Sequence, residues 1–203
     1  NSYQIKKIEK AFSVAKKAHS GQKRKSGENY ITHPLDAAIY LAEYGLDHET
    51  IMAAILHDVI EDTETSLEDL SKDFGKTVAE LVDGVSKLDK INFESKEEAD
   101  AANLQKMILA MSNDIRVLLI KLADRRHNLS TINVLDKYKA KRIAKETLEI
   151  YAPLALRLGI HNLSKELENL SFKTYYPMRQ DILTQQIDKA RGNRKFLMNK
   201  IQA

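Results

Sequence analysis

Apolar residues recur with a period of about 3.6 along nearly the whole chain of 203 residues. The alternation of period two that marks half-buried strands is missing. A period of about 3.6 places one apolar stripe on each helix, and the stripes must pack against one another. The sequence therefore predicts an all-α fold, a compact bundle of about ten helices.

Start and stop signals set the expected limits of these helices. Asp47 is an N-cap residue. Ser66 with Asp69 resembles a capping box, and Gly75 ends the short helix that this box begins. A second capping box is formed by Ser95 with Glu98. The expected helices cover residues 3–19, 35–44, 48–60, 66–74, 77–88, 95–111, 114–131, 137–158, 163–172 and 177–201, with Gly84 weakening the fifth, Pro153 kinking or breaking the eighth, and a short hairpin within 84–94 left open.

Composition excludes several classes of protein and site. With 32 Lys and Arg against 29 Asp and Glu, the net charge of +3 is too balanced to favour a nucleic-acid partner. No apolar run approaches the roughly 20 residues that span a bilayer, and the N-terminus has no apolar core of a signal peptide. The absence of Cys excludes disulfides, zinc–thiolate sites and a thiol nucleophile. We expect a cytoplasmic protein without a membrane or nucleic-acid partner.

The densest group of chemically active residues is His57-Asp58-Val59-Ile60-Glu61-Asp62. On a continuous helix, the imidazole and the three carboxylates fit within an arc of about 140°. The preceding residues 52–56 are apolar or small, so this group lies where a buried helix reaches the surface. These carboxylates repel one another unless protons or a cation intervene, and a divalent metal would meet that need. An acidic helix end with a buried histidine is the alternative.

Three further segments carry candidate residues. His33 lies in a Tyr-Ile-Thr-His-Pro segment just before a helix, and Asp124 follows an apolar run on a face shared with Asn128 and Thr131. A basic loop, Lys-Arg-Lys-Ser-Gly-Glu at 23–28, could receive phosphates or stack on a base. Two imidazoles and two carboxylates form the donor set of a hard-to-borderline divalent ion. The candidate ligands are His33, His57, Asp58 and Asp124.

Four motifs carry a resemblance to a known family: RKSGENYITHP, ILHDVIEDT, KLADRRHNLSTI and APLALRLGI. The order H…HD…D resembles the HD superfamily of metal-dependent phosphohydrolases, and the longer strings are similar to the hydrolase domain of the RelA/SpoT homologues. The resemblance runs from about residue 8 to at least residue 172. It implies an HD-type helical bundle that hydrolyses the alarmone (p)ppGpp to GDP or GTP plus pyrophosphate, in control of the stringent response, with Mn²⁺ as the usual metal.

The resemblance also implies a role for each matching residue. The metal falls on the four candidate ligands, and Glu61 and Asp62 match the acid pair that positions or activates the attacking water. We hypothesise that Glu61 is the nearer water partner, because it stacks on His57 in a continuous helix. Arg24, Lys25 and Ser26 match the loop that binds the guanine. Asn128 and Thr131 match contacts to the sugar and phosphates, and Lys141 is a further candidate for phosphate.

The same family predicts how the chain is divided. Residues 1–175 would form the hydrolase domain, and residues 176–203 a connector helix, because ARGNRK resembles the segment that leads to the synthetase domain in long members. Synthetase and regulatory domains would then follow in the full-length protein. A free-standing small alarmone hydrolase is the alternative.

Three competing functions remain open from the sequence. Another HD phosphohydrolase could act on deoxynucleoside triphosphates, nucleoside monophosphates or cyclic nucleotides, although RKSG before YITHP favours the alarmone class. A degenerate HD fold could serve as a regulatory module, although the proposed ligands are intact. A helical nucleic-acid binder would show strongly salt-dependent affinity for RNA.

Overall fold

The computed structural model describes residues 2–89 and 114–202, with side chains described up to 88 and from 114 to 191. Within these ranges every regular element is a helix, and the closest approach to a sheet is an isolated antiparallel bridge between Lys23 and Asn29. The all-α prediction is therefore confirmed. The helices are α1 (Ser2–Ala18), α2 (Thr32–Glu43), α3 (His48–Leu56), α4 (Val59–Asp62), α5 (Leu67–Phe74), α6 (Lys76–Asp89), α7 (Ile115–Ser130), α8 (Lys137–Glu146), α9 (Ala152–Arg157), α10 (His161–Tyr175) and α11 (Pro177–Gln202).

The capping signals of the sequence are used as predicted. The Asp47 carboxylate accepts from the backbone N–H groups of Glu49 and Thr50 at the start of α3. Ser66 and Asp69 form a reciprocal capping box on α5, and Gly75 ends that helix with a φ of 96°. The capping box at Ser95 and Glu98, its helix, and the part of the possible hairpin beyond residue 89 lie outside the described residues.

The prediction of one continuous helix over 48–60 is wrong. Helix α3 ends at Leu56, and α4 begins at Val59. His57 and Asp58 keep right-handed backbone angles, but the N–H of Glu61 donates to the carbonyl of Asp58, three residues back, at 3.2 Å. The chain therefore tightens locally at the two residues that carry the HD dipeptide, as in a 3₁₀ turn.

The described chain forms two compact units, Asn1–Asn128 and Leu129–Ala203. In the first unit α3 is the central helix, and it packs against α1, α2 and α6. Its residues Met52 to Leu56 are each at most 2% exposed, as the apolar run predicted. This buried helix ends at the candidate ligands His57 and Asp58.

Helices α6 and α7 approach closely at Gly84. A Cβ atom added to Gly84 would lie 2.7 Å from Cγ2 and 3.2 Å from Cγ1 of Val117, whose side chain is buried. Gly84 lies within α6 without interrupting it. Its small size therefore allows α7, which carries Asp124, to approach α6.

In the second unit α8, α9 and α10 pack around a π turn at Thr147–Tyr151. This turn lies directly before Pro153, so the predicted break is confirmed as a widened turn ahead of a residue that has no N–H to donate. The Ser164 hydroxyl donates to the carbonyl of Ala152 at 2.9 Å and joins α10 to α9. Among the described residues, no helix is both long enough and apolar enough to cross a membrane.

Candidate metal centre

Three separate segments of the first unit bring the four candidate ligands together. His33 lies in the first turn of α2, where the proline that follows it is tolerated because first-turn N–H groups have no partner within the helix. His57 and Asp58 occupy the two-residue break between α3 and α4, and Asp124 lies on α7. Both histidines and Asp124 are at most 3% exposed.

The ligand atoms converge within a few ångströms. The Nε2 atom of His33 lies 3.0 Å from Oδ1 of Asp124 and 3.5 Å from Oδ2 of Asp58. The Nε2 atom of His57 lies 3.1 Å from Oδ1 of Asp58 and 3.9 Å from Oδ1 of Asp124. Ligand atoms of His33, His57 and Asp58 lie within 4.8 Å of one another, and Asp124 joins them through its contacts with both histidines.

The tautomer of His57 tests whether a cation fits there. Its Nδ1 atom lies 2.8 Å from the carbonyl of Ala54, and because a carbonyl only accepts, Nδ1 carries the hydrogen. The buried Nε2 atom then has a lone pair directed at carboxylates, and it has no hydrogen-bond partner within the described chain. Burial would lower the pKa of His57, but the charges of Asp58 and Asp124 raise it. The site thus needs a proton or a cation, and its donors suit a divalent ion.

Neighbouring side chains hold the two carboxylates in place. Lys121 pairs with Asp124 on α7, and Nδ2 of Asn128 donates to Oδ1 of Asp124 at 2.6 Å. Burial would raise the pKa of Asp124, but Lys121 and the two histidines hold it well below its usual range. The hydroxyl of Tyr30 donates to Oδ2 of Asp58 at 3.0 Å. Burial and the charge of Asp58 raise the pKa of Tyr30, so its phenol stays protonated as a donor.

Sequence reasoning missed His127, which lies behind His33. Their Nδ1 atoms are 2.8 Å apart, and a guanidinium nitrogen of Arg24 lies 3.3 Å from the same nitrogen of His127. Burial, with the nearby His33 and Arg24, lowers the pKa of His127 to about 4, so the ring is neutral at pH 7. The signal available in the sequence was its position three residues after Asp124, on the same side of α7.

The predicted nucleotide loop reaches this centre through Arg24. The loop folds back on itself, because the N–H of Arg24 donates to the carbonyl of Glu28 and Gly27 adopts a φ of 89°. The second guanidinium nitrogen of Arg24 donates to Oδ1 of Asn128 at 2.6 Å. Lys25 and Ser26 are exposed at the tip of the loop.

The other candidate residues lie at two places. Glu61 and Asp62 are exposed at the end of α4, directly after the ligand pair, and the carbonyl of Asp62 accepts from the side chain of Gln22 at 3.2 Å. Thr131 and Lys141 belong to the second unit, where Lys141 lines an open groove of about 460 Å³ together with Lys137 and Lys173.

The order of the ligands along the chain matches a known family. The family model described as "HD domain" matches residues 11–161, which include His33, the His57-Asp58 dipeptide and Asp124. The chain belongs to the HD-domain family. This HD domain is also similar to longer proteins. It is 58% identical over 198 residues to the "Bifunctional (p)ppGpp synthase/hydrolase SpoT" of Escherichia coli K12, a match that covers 98% of the chain and 28% of that relative.

Two other comparisons describe the range of the relatives. The HD domain is 54% identical over 177 residues to a "GTP pyrophosphokinase" of Streptomyces coelicolor, which covers 87% of the chain and 21% of that relative. It is also similar to a solved structure titled "A metazoan ortholog of SpoT hydrolyzes ppGpp and plays a role in starvation responses". That match has a TM-score of 0.59 and 27% identity, and it covers 84% of this chain and 96% of the other.

Proposed function

We propose that this HD domain is a metal-dependent (p)ppGpp 3′-pyrophosphohydrolase. The observation that carries the proposal is the convergence of two buried imidazoles and two carboxylates, with the lone pair of His57 Nε2 lacking a hydrogen-bond partner among the described residues. The relatives named for ppGpp hydrolysis supply the substrate class. In the reaction one water is consumed, the bond between the 3′ oxygen and phosphorus breaks, and GDP or GTP and pyrophosphate are released.

Hydrolysis is favoured over pyrophosphate transfer to GTP, which is the activity in the name of the Streptomyces relative. The described part of the chain concentrates its buried charge in one cluster of histidines and carboxylates. Such a cluster suits the activation of water, since it offers ligands for a cation and exposed carboxylates beside them. The chain also spans only 21% of that relative, so a transferase activity can reside elsewhere in it.

The metal would be held by His33, His57, Asp58 and Asp124. A divalent ion bound there supplies a Lewis acid for a phosphoryl oxygen and makes water easier to deprotonate. Four nitrogen and oxygen donors without sulfur suit Mn²⁺, and the resemblance to the RelA/SpoT hydrolases favours the same ion. Tyr30 and Asn128 keep the ligand carboxylates in position, since each donates a hydrogen bond to one of them.

We propose that the acid pair at the end of α4, Glu61 and Asp62, accepts the proton of the attacking water. Glu61 and Asp62 are exposed and lie three and four residues after the ligand Asp58, so solvent reaches them beside the centre. A carboxylate within hydrogen-bond reach of water takes a proton as general base. Glu61 remains our candidate for the base, although the continuous helix that motivated this choice is broken at residues 57 and 58.

The nucleotide would bind at the basic loop. Arg24 presents the face of its guanidinium to a guanine while its in-plane N–H groups stay bonded to protein acceptors. Lys25 and Ser26 are exposed at the same loop and would bind phosphate and base. Thr131 and Lys141, in the second unit, remain predicted contacts to the sugar and phosphates.

We also infer the division of the chain into a hydrolase domain over 1–175 and a connector over 176–203. The chain spans 28% of the Escherichia coli relative, whose name includes both synthase and hydrolase. Helix α11 exposes apolar side chains, among them Met178 at 80% and Ile182 at 58%. A connector that packs on a following domain accounts for such exposure.

Turnover of ppGpp by the metal-stripped protein, with and without Mn²⁺, tests the proposal. We expect release of GDP and pyrophosphate only with Mn²⁺, and loss of that release in Asp58→Ala. Asp83→Ala is the matched control, because Asp83 pairs with Lys87 on the exposed side of α6. Stoichiometric Mn²⁺ binding without ppGpp turnover, together with turnover of a deoxynucleoside triphosphate, would assign the HD domain to another nucleotide.

A further inference from the structure

The hydrogen bonds around His127 determine which of its nitrogens carries the proton. Its Nδ1 atom lies 3.3 Å from a guanidinium nitrogen of Arg24 and 2.8 Å from Nδ1 of His33. Arginine is a donor only, so Nδ1 of His127 must be the acceptor in that contact. With no hydrogen on Nδ1, the one hydrogen of the ring is on Nε2 of His127.

This assignment fixes the tautomer of the metal ligand His33. An unprotonated Nδ1 on His127 requires that Nδ1 of His33 be the donor across the 2.8 Å contact. The Nε2 atom of His33 then keeps its lone pair, and this is the atom that faces Asp124 at 3.0 Å and Asp58 at 3.5 Å. Only this tautomer leaves the correct nitrogen of His33 ready to bind a cation.

Arg24 acts in the same way on the carboxylate side of the centre. Its other terminal nitrogen donates to Oδ1 of Asn128 at 2.6 Å, which sets the orientation of that amide. The amide nitrogen of Asn128 therefore points to Oδ1 of Asp124, also at 2.6 Å. The Arg24 guanidinium thus determines which atoms donate and which accept next to two candidate ligands. It acts on His33 through His127 and on Asp124 through Asn128.

We propose that His127 is a positioning residue through which Arg24 of the nucleotide loop holds His33 in the tautomer that binds metal. The proposal rests on the divalent centre of the proposed function. It gives Arg24 two compatible tasks, because its N–H groups bond His127 and Asn128 in the plane of the guanidinium, beside the Tyr30 ring at 5.8 Å, whereas a guanine would stack on that plane. The metal affinity therefore depends on the order of the nucleotide loop.

Nitrogen-15 NMR of the histidine rings in the metal-free protein tests the proton positions directly. We expect His33 to be protonated at Nδ1 and His127 at Nε2 near pH 7. A merely structural role for His127 would leave its tautomer unconstrained. The reverse arrangement, with the proton on Nδ1 of His127, would overturn the proposal whether or not the protein hydrolyses ppGpp.

Two nearly isosteric variants test the consequence for the metal. His127→Asn keeps an acceptor at the δ position and His127→Leu removes it, so we expect Mn²⁺ affinity by calorimetry to stay near the wild-type value in the first. In the second it should fall by about 10-fold to 100-fold. His161→Leu, at the exposed start of α10, is the control for loss of a histidine. Circular dichroism establishes that the variants are folded.

Equal Mn²⁺ affinity in the Asn and Leu variants would overturn the inference and leave the proposed function intact. A wild-type protein that binds no Mn²⁺ would instead overturn the proposed metal centre. If His127→Leu does not fold, the proton positions in the wild-type protein decide the question.

Discussion

At the scale of single residues, the carboxylates on either side of Val59 have different surroundings. Asp58 is partly buried, accepts from the hydroxyl of Tyr30 and faces both ligand histidines. Glu61 and Asp62 are exposed at the end of α4. Hydrogen bonding and partial burial hold the first carboxylate beside the two histidines, whereas the second pair faces solvent, as the proposed roles of ligand and general base require.

Replacement of Glu61 by glutamine separates proton transfer from metal binding. We expect Glu61→Gln to lower kcat by a factor on the order of 10² to 10⁴, because the amide cannot accept a proton from water. Mn²⁺ affinity should stay near the wild-type value, since Glu61 is outside the ligand set. Steady-state kinetics and calorimetry measure the two quantities.

Glu64→Gln is the matched control, because Glu64 is an exposed glutamate three residues further along the chain. Near-normal turnover by Glu61→Gln with metal bound would contradict the assignment of the base. Loss of turnover in Asp62→Asn alone would transfer the role to its neighbour.

The sequence carried enough information to propose the ligand set but too little to identify the groups behind it. His57 and Asp58 are adjacent and follow an apolar run, so their chemistry is visible locally. His33 and Asp124 are 91 residues apart; they joined this pair as the second imidazole and second carboxylate of a divalent donor set, and the family resemblance implied the same four ligands. His127 could not be assigned, because its role depends on which atoms of Arg24 and His33 face it in three dimensions.

At the scale of helices, the caps could be predicted from neighbouring residues, whereas features that depend on packing between helices could not. The caps at Asp47 and Ser66 use neighbouring backbone groups, so sequence alone indicated them. The break at residues 57 and 58 occurs without Gly or Pro, and no helix-breaking residue predicted it. Gly84 was interpreted as a weak point of its helix, whereas its role is to admit the side chain of Val117.

The effect of Gly84→Ala on the free energy of unfolding should change sign when the neighbouring Val117 is replaced by alanine. Gly84→Ala gains about 1 kcal/mol of helix propensity, but its methyl would overlap the stiff, buried side chain of Val117, and overpacking costs about 1–3 kcal/mol. We therefore expect a lower free energy of unfolding in the wild-type background. In a Val117→Ala background the same methyl fills vacated space, so Gly84→Ala should be stabilising.

Urea denaturation of the four proteins in this cycle measures both effects. A stabilising effect of Gly84→Ala in both backgrounds would show that α6 and α7 have room for the extra methyl. It would remove the packing reason for glycine at this position.

At the scale of the whole molecule, all four candidate ligands lie in the first compact unit. A metal that binds only the folded centre stabilises that unit by mass action. Mn²⁺ at 100 times its dissociation constant should add about 2.7 kcal/mol to the free energy of unfolding. For a chain of this size that gain corresponds to a rise in Tm of roughly 5–10 °C.

Thermal unfolding with and without Mn²⁺ checks this expectation. The rise should appear in the wild-type protein and be absent in Asp58→Ala, which lacks one of the four candidate ligands. Where the two units unfold in separate transitions, only the transition of the first unit should move. An equal rise in Asp58→Ala would mean that Mn²⁺ stabilises the protein through some other site.

The spread of the ligands along the chain has a consequence for synthesis. A growing polypeptide acquires His33, His57 and Asp58 early, but it has neither Asp124 nor His127 until α7 has been made. The fourth candidate ligand and the proposed positioning residue of the first therefore emerge from the ribosome nearly together. A nascent chain that ends before α7 lacks one of the four candidate ligands, so the proposed hydrolysis requires that the first unit be almost fully translated.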